Sequence, residues 1–277
     1  MTAIRLVATD LDGTLLDPSG RIADSDVEAI LAAASAGVVI VVATGRPLRW
    51  LSILAPIADA DPLVVASNGA AVYDLHTDRV LTQHPLDRSV IVELAAELGA
   101  QLPGIRFALE EGRVFRTERE WANHVPDATM ALADEEAVTV RGVWPGLLDE
   151  AGDVVKLLVA HPDSDPDDLL ARAAAIVGTR AEVTHSVTEG RHALLEVSAP
   201  GISKAATIAA LAGERGITAD QVAAFGDMPN DLAMLEYAGH PFVMANGHPA
   251  LRARFPVIGS NAEGGVGAQI RALLAED

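Results

Sequence analysis

Residues 6–17 read Leu6-Val7-Ala8-Thr9-Asp10-Leu11-Asp12-Gly13-Thr14-Leu15-Leu16-Asp17. A short apolar run leads to Asp10, and the glycine and threonine after Asp12 end the predicted strand. Two carboxylates therefore meet at the carboxyl end of a strand, which is where ligands bind in open α/β sheets. Asp10 has the position of a nucleophile, and Asp12 that of a group that donates and later accepts a proton. The alternative is a pair of solvated turn aspartates.

Composition excludes several classes of function. The 277 residues hold 20 Lys plus Arg against 39 Asp plus Glu, a formal charge of −19. That charge disfavours nucleic acid and anionic membranes as partners. There is no cysteine, hence no disulfide framework, and the longest apolar run, residues 36–43, is far short of a membrane span. We expect a cytoplasmic protein without a signal peptide, and the choice between monomer and homodimer stays open.

Two further buried strands end in polar loops. Residues 38–43 form a β-branched run, which is typical of a parallel sheet covered by helices. It ends at Thr44, Gly45 and Arg46, which offer a hydroxyl, a backbone open to an anion and a guanidinium, before a helix predicted over residues 48–57. An ordinary strand–turn–helix junction is the alternative. The next strand ends at Asn68, which either contacts a ligand or only shapes the turn.

The parallel pattern returns after residue 200. A capped helix carries Lys204 in its first turn, an unfavourable place for a cation unless an anion lies near. Lys204 either contacts phosphoryl oxygens and Asp10, or is a solvated surface residue. A strand over residues 222–225 then ends at Asp227, with Asn230 and Asp231 in the turn behind it. Asp227 can join Asp10 on a cation, and a set of oxygen ligands suits Mg²⁺ better than Zn²⁺.

The middle of the chain has a different pattern. Short runs at 71–74 and 79–83 indicate a hairpin, and more strands are predicted near 105–109, 114–117, 154–160, 181–184 and 193–198. We therefore expect a discontinuous α/β domain, residues 1–82 and 198–277, with an α+β domain at residues 83–197 inserted into it. The polar side chains of this region, such as His124, Lys156 and His161, lack metal-ligand spacing, so we assign them to the surface or to packing.

The chemical stretches occur in the order Asp10-x-Asp12-Gly-Thr, Thr44-Gly45-Arg46, Lys204 and Gly226-Asp227-x-x-Asn230-Asp231. In this order they resemble the motifs of the haloacid dehalogenase (HAD)-like hydrolase superfamily, specifically the Cof-type phosphatases, whose C2-type (IIB) cap lies between the second and third motifs. The resemblance covers the two core segments, and the inserted region matches in position and size. Ala205 follows Lys204 where relatives often carry glycine, a departure that leaves the charge in place.

The resemblance implies a Rossmann-like core and a Mg²⁺-dependent aspartyl-phosphate intermediate. The implied or expected roles are catalysis for Asp10 and Asp12, phosphoryl or substrate binding for Thr44, Gly45, Arg46, Asn68, Lys204 and Asn230, Mg²⁺ binding for Asp10, Asp12 and Asp227, and support of the metal site for Asp231.

Three functions compete at this point. The first is hydrolysis of a small phosphomonoester, such as a sugar phosphate. The second is a phosphohexomutase of the phosphomannomutase type, since those enzymes use the same pair of aspartates. The third is a protein that binds a phosphorylated ligand without turnover, which the presence of Asp10, Asp12 and Lys204 disfavours.

Overall fold

The computed structural model describes residues 3–121, 138–186 and 193–275. The strands in this part of the chain are β1 (Leu6–Asp10), β2 (Val39–Ala43), β3 (Leu63–Ala66), β4 (Ala71–Asp74), β5 (Arg79–Gln83), β6 (Arg106–Glu110), β7 (Val114–Glu118), β8 (Val138–Gly142), β9 (Lys156–His161), β10 (Glu182–Ser186), β11 (Ala193–Ser198), β12 (Val222–Gly226), β13 (His240–Met244) and β14 (Val257–Ile258). The α-helices are α1 (Asp24–Ser35), α2 (Arg88–Gln101), α3 (Gly146–Asp149), α4 (Pro166–Val177), α5 (Lys204–Glu214), α6 (Leu232–Tyr237), α7 (Pro249–Arg252) and α8 (Gly265–Ala275). Among these described residues, no helix has both the length and the apolar character needed to cross a membrane.

The chain divides into two compact units. The first consists of Met1–Thr44, Ile53–Thr82 and Ser203–Asp277, and the second of Gly45–Ser52 and Gln83–Ile202. Residues 45–52 and 198–202, which the sequence pattern places in the core, thus group with the second unit. That the chain forms two independently folding domains with boundaries at 82/83 and 197/198 remains a prediction.

The first unit contains an eight-stranded sheet in the order β14-β13-β12-β1-β2-β3-β4-β5. The pairings from β14 to β3 are parallel, and β4 runs antiparallel to β3. β1 lies at the centre, with Asp10 beside Ala43 of β2 and Thr9 beside Phe225 of β12. This register brings the carboxyl ends of β1, β2 and β12 to one edge of the sheet, which is the ligand-binding edge in such folds.

Helices cover both faces of this sheet. Leu6 and Ala8 of β1 pack into a buried cluster with Ile208 of α5 and Leu235 of α6. Val7, which points to the opposite face, lies beside Ala33 of α1 and Ile270 of α8. Because both faces are covered, every residue of β1 is buried, as expected of a parallel strand between two helical layers.

One local prediction was wrong. The helix expected over residues 48–57 is instead two 3-10 segments, Leu48–Trp50 and Ser52–Ala60. Pro56 lies inside the second segment, where it lacks the N–H that an α-helix needs and its ring would clash with the preceding turn. The apolar spacing of Leu48, Leu54 and Ile57 is compatible with either kind of helix, so the periodicity alone did not distinguish them.

The second unit is built on a six-stranded sheet in the order β10-β11-β9-β6-β7-β8. One face packs against α2 and α4, with Phe107 and Val159 among Leu98 and Leu169. The expected strands are present, while β8 and α3 were not predicted. Lys156 is buried and ion-paired, so of the two expected places, the surface or the packed interior, it occupies the interior. His124 lies outside the described residues.

Candidate active site

Three buried aspartates converge at the carboxyl edge of the first unit's sheet. Asp10 is the last residue of β1, Asp227 follows β12, and Asp231 ends the 3-10 turn Pro229–Asp231. One carboxylate oxygen from each residue lies within 4.8 Å of the others. The parallel pairing of β1 with β12 explains the convergence, because it aligns the two strand ends. Such a cluster of like charges is stable only beside compensating positive charge.

Lys204 supplies part of that charge. It is the first residue of α5, whose N-terminus is capped by the Ser203 hydroxyl, an acceptor for the Ala206 N–H at 3.2 Å. The Lys204 ammonium forms an ion pair with Asp10 and lies 2.8 Å from Asp231 Oδ1. The unfavourable position of a cation at a helix N-terminus is therefore explained by two carboxylates in direct contact.

Burial and mutual repulsion raise the pKa values of two of the three carboxyl groups. Burial raises the pKa of Asp10 well above its ordinary value, the charge of Asp231 adds to the rise, and Lys204 opposes it. Burial likewise raises the pKa of Asp227 to about 6, again with a contribution from Asp231. Burial disfavours the charged form of Lys204, yet Asp10 and Asp231 outweigh it and raise its pKa. A cation bound beside Asp10 and Asp227 would lower these pKa values and stabilise the ionised carboxylates.

The loop after β1 is shaped around Asp227. Thr14 donates from Oγ1 to Asp227 Oδ1 at 3.0 Å. Gly13 has a φ of +82°, and a Cβ at this position would lie 2.3 Å from Asp227 Oδ2. Only glycine fits here, both for the left-handed backbone and for the space. Asp12, between these residues and Asp10, is exposed to solvent and its charge contributes to the raised pKa of Asp227.

Thr44 and Asn68 follow the two strands on the other side of β1. Thr44 is fully buried and donates its N–H to Val65 O at 2.9 Å, while its own carbonyl accepts from Asn68 N at 3.0 Å. Ser67 and Asn68 have left-handed φ values of 52° and 58°, which are strained for residues other than glycine. Gly69, the next residue, is tied to α5 because its carbonyl accepts from Thr207 Oγ1 at 3.0 Å.

A family model described as haloacid dehalogenase-like hydrolase matches residues 7–270 of the chain. The chain belongs to this family. Similar curated proteins include the 5-amino-6-(5-phospho-D-ribitylamino)uracil phosphatase YcsE of Bacillus subtilis, which is 28% identical over 97% of this chain and 95% of its own length. The pyridoxal phosphate phosphatase YbhA of Escherichia coli is 28% identical over 93% and 94% of the two chains. The HMP-PP phosphatase of Cronobacter sakazakii is 30% identical over 91% and 88%.

Solved structures of the HAD family share the fold. A haloacid dehalogenase-like hydrolase from Bacteroides thetaiotaomicron superposes with a TM-score of 0.79 at 22% identity, covering 98% of this chain and 99% of its own. The HAD subclass IIB sugar phosphatase BT4131 gives a TM-score of 0.78 at 20% identity, covering 97% and 98% of the two chains. The predictions of the HAD superfamily, of the α/β fold class and of an enzyme are thereby confirmed.

Within this HAD hydrolase, the predicted site residues lie on several different elements. Asp10, Lys204, Asp227 and Asp231 form one buried cluster. Thr44 and Asn68 lie at the neighbouring strand ends and Asp12 in the adjoining loop. Gly45 and Arg46 group with the second unit, and Asn230 is exposed on the turn before Asp231. The functional role of each of these residues remains a prediction.

Two residues that support the site were missed. Thr14 was used as a mark of the strand's end and as part of the first motif, and no role was assigned to its hydroxyl, which donates to Asp227. Asn246 donates from Nδ2 to Gly13 O at 2.7 Å and accepts from Asn261 N at 3.0 Å, so it ties the loop after β1 to the loop after β13. The available signal was position in the sequence, because Asn246 also follows the end of a parallel strand.

Proposed function

We propose that this HAD hydrolase is a Mg²⁺-dependent phosphatase that cleaves a small phosphomonoester by transferring its phosphoryl group to Asp10. The observation that best supports this is the buried cluster of Asp10, Asp227 and Asp231 around Lys204. Burial and repulsion from Asp231 raise the pKa values of Asp10 and Asp227, and ionisable groups with raised pKa values are typical of active sites.

The donor set fits Mg²⁺. All the available donors are oxygens, and hard cations of this kind prefer carboxylate and carbonyl oxygens. The Asp10 and Asp227 carboxylates, with the Asp12 backbone carbonyl, are the groups we assign to the ion. Asp231 is a supporting residue because Oδ1 accepts from Lys204, while Oδ2 accepts from the N–H groups of Asp227 and Met228, each at 3.1 Å. Bound Mg²⁺ supplies positive charge that lowers the repulsion between Asp10 and the phosphoryl group.

The proposed reaction has two steps. In the first, an Asp10 carboxylate oxygen attacks phosphorus, the bond from phosphorus to the ester oxygen breaks, and Asp12 gives its proton to the departing alkoxide. In the second, Asp12 takes a proton from a water molecule as that water attacks phosphorus, which releases inorganic phosphate and restores the Asp10 carboxylate. We assign Lys204, which contacts Asp10 and Asp231, to balancing the charge of the phosphoryl oxygens.

The names of similar proteins support a proposal for the substrate class. The relatives named above are phosphatases, and their names specify a ribitylamino-uracil phosphate, pyridoxal phosphate and HMP-PP. We infer that this enzyme also takes a small phosphorylated metabolite, bound through Thr44, Gly45, Arg46, Asn68, Lys204 and Asn230. The same names favour hydrolysis over the transfer to a second hydroxyl that a mutase performs.

An aryl phosphate assay with rapid quenching tests the roles of the aspartates. We expect Asp10→Asn to abolish both turnover and phosphoenzyme, because an amide cannot form the acyl phosphate. Asp12→Asn should accumulate phosphoenzyme, since an aryl leaving group needs little protonation while the attack of water loses its base, a loss of roughly 10²–10⁴-fold. Asp59→Asn neutralises an exposed aspartate of the same unit and should behave like wild type. Label on any residue but Asp10 would refute the assignment.

A second assay separates the phosphatase from the mutase. The enzyme is supplied with a sugar 1-phosphate and a sugar bisphosphate activator, and both free phosphate and sugar 6-phosphate are measured. A phosphatase releases one phosphate for each substrate molecule consumed. Accumulation of the 6-phosphate with little free phosphate would instead establish a mutase.

A further inference from the structure

Residues 45–52, which we call the linking segment, belong to the second unit although both of their chain neighbours belong to the first. The segment begins one peptide bond after Thr44 and contains the 3-10 turn Leu48–Trp50. Sequence reasoning placed it in the core, as the start of a helix. The contacts that hold it in the second unit come from residues distant in sequence.

The first of these contacts is made by Lys156, the first residue of β9. Its ammonium donates to the Gly45 carbonyl oxygen at 2.8 Å and lies 2.9 Å from Glu196 Oε2. Lys156 is 2% exposed. Burial of an ammonium is costly unless its donors are used, and here one donor is used on a backbone carbonyl of the linking segment.

The second contact is made by Arg49 of the linking segment. Its Nη2 lies 2.8 Å from Glu110 Oε2, and both side chains are buried. The guanidinium also lies over the ring of Phe115, 4.5 Å from its centroid. Glu110 is directly opposite Lys156 in the pairing of β6 with β9. The two contacts therefore lie side by side on one face of the sheet. This is the face that does not pack against α2 and α4.

The contact to Gly45 has a consequence for the next residue. A trans peptide is planar, with its C=O and N–H pointing in opposite directions. A donor that fixes the Gly45 carbonyl therefore fixes the direction of the Arg46 N–H as well. Glycine at this position has broad backbone freedom, so the orientation of this peptide depends on its partner. Apolar packing of similar volume would stabilise the unit at least as well as a buried ion pair, but it could not orient a peptide.

We propose that Lys156 is a positioning residue, which holds the Gly45–Arg46 peptide in the orientation that binds the phosphoryl group of the substrate. This inference rests on the proposed function, in which Thr44, Gly45 and Arg46 bind that group. Lys156 acts on the loop through Gly45 and takes no part in the bond-breaking steps. Its removal should weaken phosphate binding and leave the chemical step almost unchanged.

The test compares Lys156→Met/Glu196→Gln with Glu196→Gln, so that neither variant leaves a buried carboxylate without its cation. The dissociation constant of inorganic phosphate, measured by titration calorimetry with Mg²⁺ present, should rise about tenfold in the double variant, the effect of losing one hydrogen bond of about 1.4 kcal/mol. The KM for an aryl phosphate should rise by the same factor, with kcat within about threefold. The control Arg180→Gln/Glu97→Gln removes an ion pair of the same unit that is partly exposed and should change neither constant.

A folded double variant whose phosphate affinity and KM stay within twofold of Glu196→Gln overturns the proposal, and so does a loss of kcat with KM unchanged. If that variant fails to fold, Lys156→Gln/Glu196→Gln decides the question by the same criterion. Failure of the proposed function gives a different result. In that case Asp10→Asn would retain turnover, or the wild-type protein would show none, and either result is independent of how tightly the Lys156 variants bind phosphate.

Discussion

The buried Arg49–Glu110 pair predicts that the second unit loses stability as the pH rises. Burial raises the pKa of Glu110 from its ordinary 4.5 to about 8, because the loss of hydration outweighs the charge of Arg49. Between these two pH values the folded state keeps a proton at Glu110 that the unfolded state has released. The unfolded state therefore binds fewer protons, and the free energy of unfolding falls as pH increases.

The size of the effect follows from the same two values. Each pKa unit corresponds to about 1.4 kcal/mol, so the rise from 4.5 to about 8 corresponds to a loss of up to about 5 kcal/mol across that pH range. Glu110→Gln removes the titration while keeping an oxygen that can accept from Arg49. Relative to wild type, the variant should gain stability as the pH rises toward 8, although it replaces the carboxyl group that contacts Arg49.

Urea unfolding at several pH values between 4.5 and 8, followed by tryptophan fluorescence, measures this effect. The three tryptophans, Trp50, Trp121 and Trp144, all belong to the second unit, so the signal reports on that unit. Glu97→Gln is the control for the sign of the stability change, because the hydrogen bond from Arg180 lowers the pKa of Glu97. Its neutralisation should cost stability above pH 4.5. A difference between Glu110→Gln and wild type that is independent of pH, or that favours wild type at pH 8, would refute the reasoning.

Three further outcomes are expected. Activity should require Mg²⁺, and Ca²⁺ should fail to replace it because its looser geometry can engage Asp10 through both oxygens; full turnover in excess chelator would contradict this. Gly13→Ala should weaken Mg²⁺ affinity about tenfold or more through its contact with Asp227, whereas Gly20→Ala, equally left-handed but without a neighbour within 4 Å, should not. Ser67→Gly should raise the melting temperature more than Asp61→Gly, a change at an exposed residue with nearly the same left-handed φ. The reason is that Ser67→Gly also removes a buried hydroxyl without a hydrogen-bond partner. A loss of stability in Ser67→Gly would contradict this.

The sheet of the first unit was predictable because its strands are short apolar runs that end in polar residues. Asp10, Thr44 and Asp227 each follow such a run, and parallel pairing brings those ends together. The placement of the linking segment was not predictable in the same way. It depends on Lys156 and Glu110, which are more than 50 residues away in sequence, and neither belongs to a motif. Local spacing carries no information about a contact of that kind.

Lys204 shows which kind of sequence signal does report on a site. A cation at the first position of a helix is disfavoured by the helix dipole, so the local sequence alone does not explain a lysine there. The structure resolves the conflict with Asp10 and Asp231 in direct contact, neither of which is near Lys204 in sequence. The left-handed Ser67 violates a local rule in the same way at the neighbouring strand end. Residues that break a local rule are retained where a distant partner or a ligand compensates them, so such violations at strand ends indicate a site even where no motif is recognised.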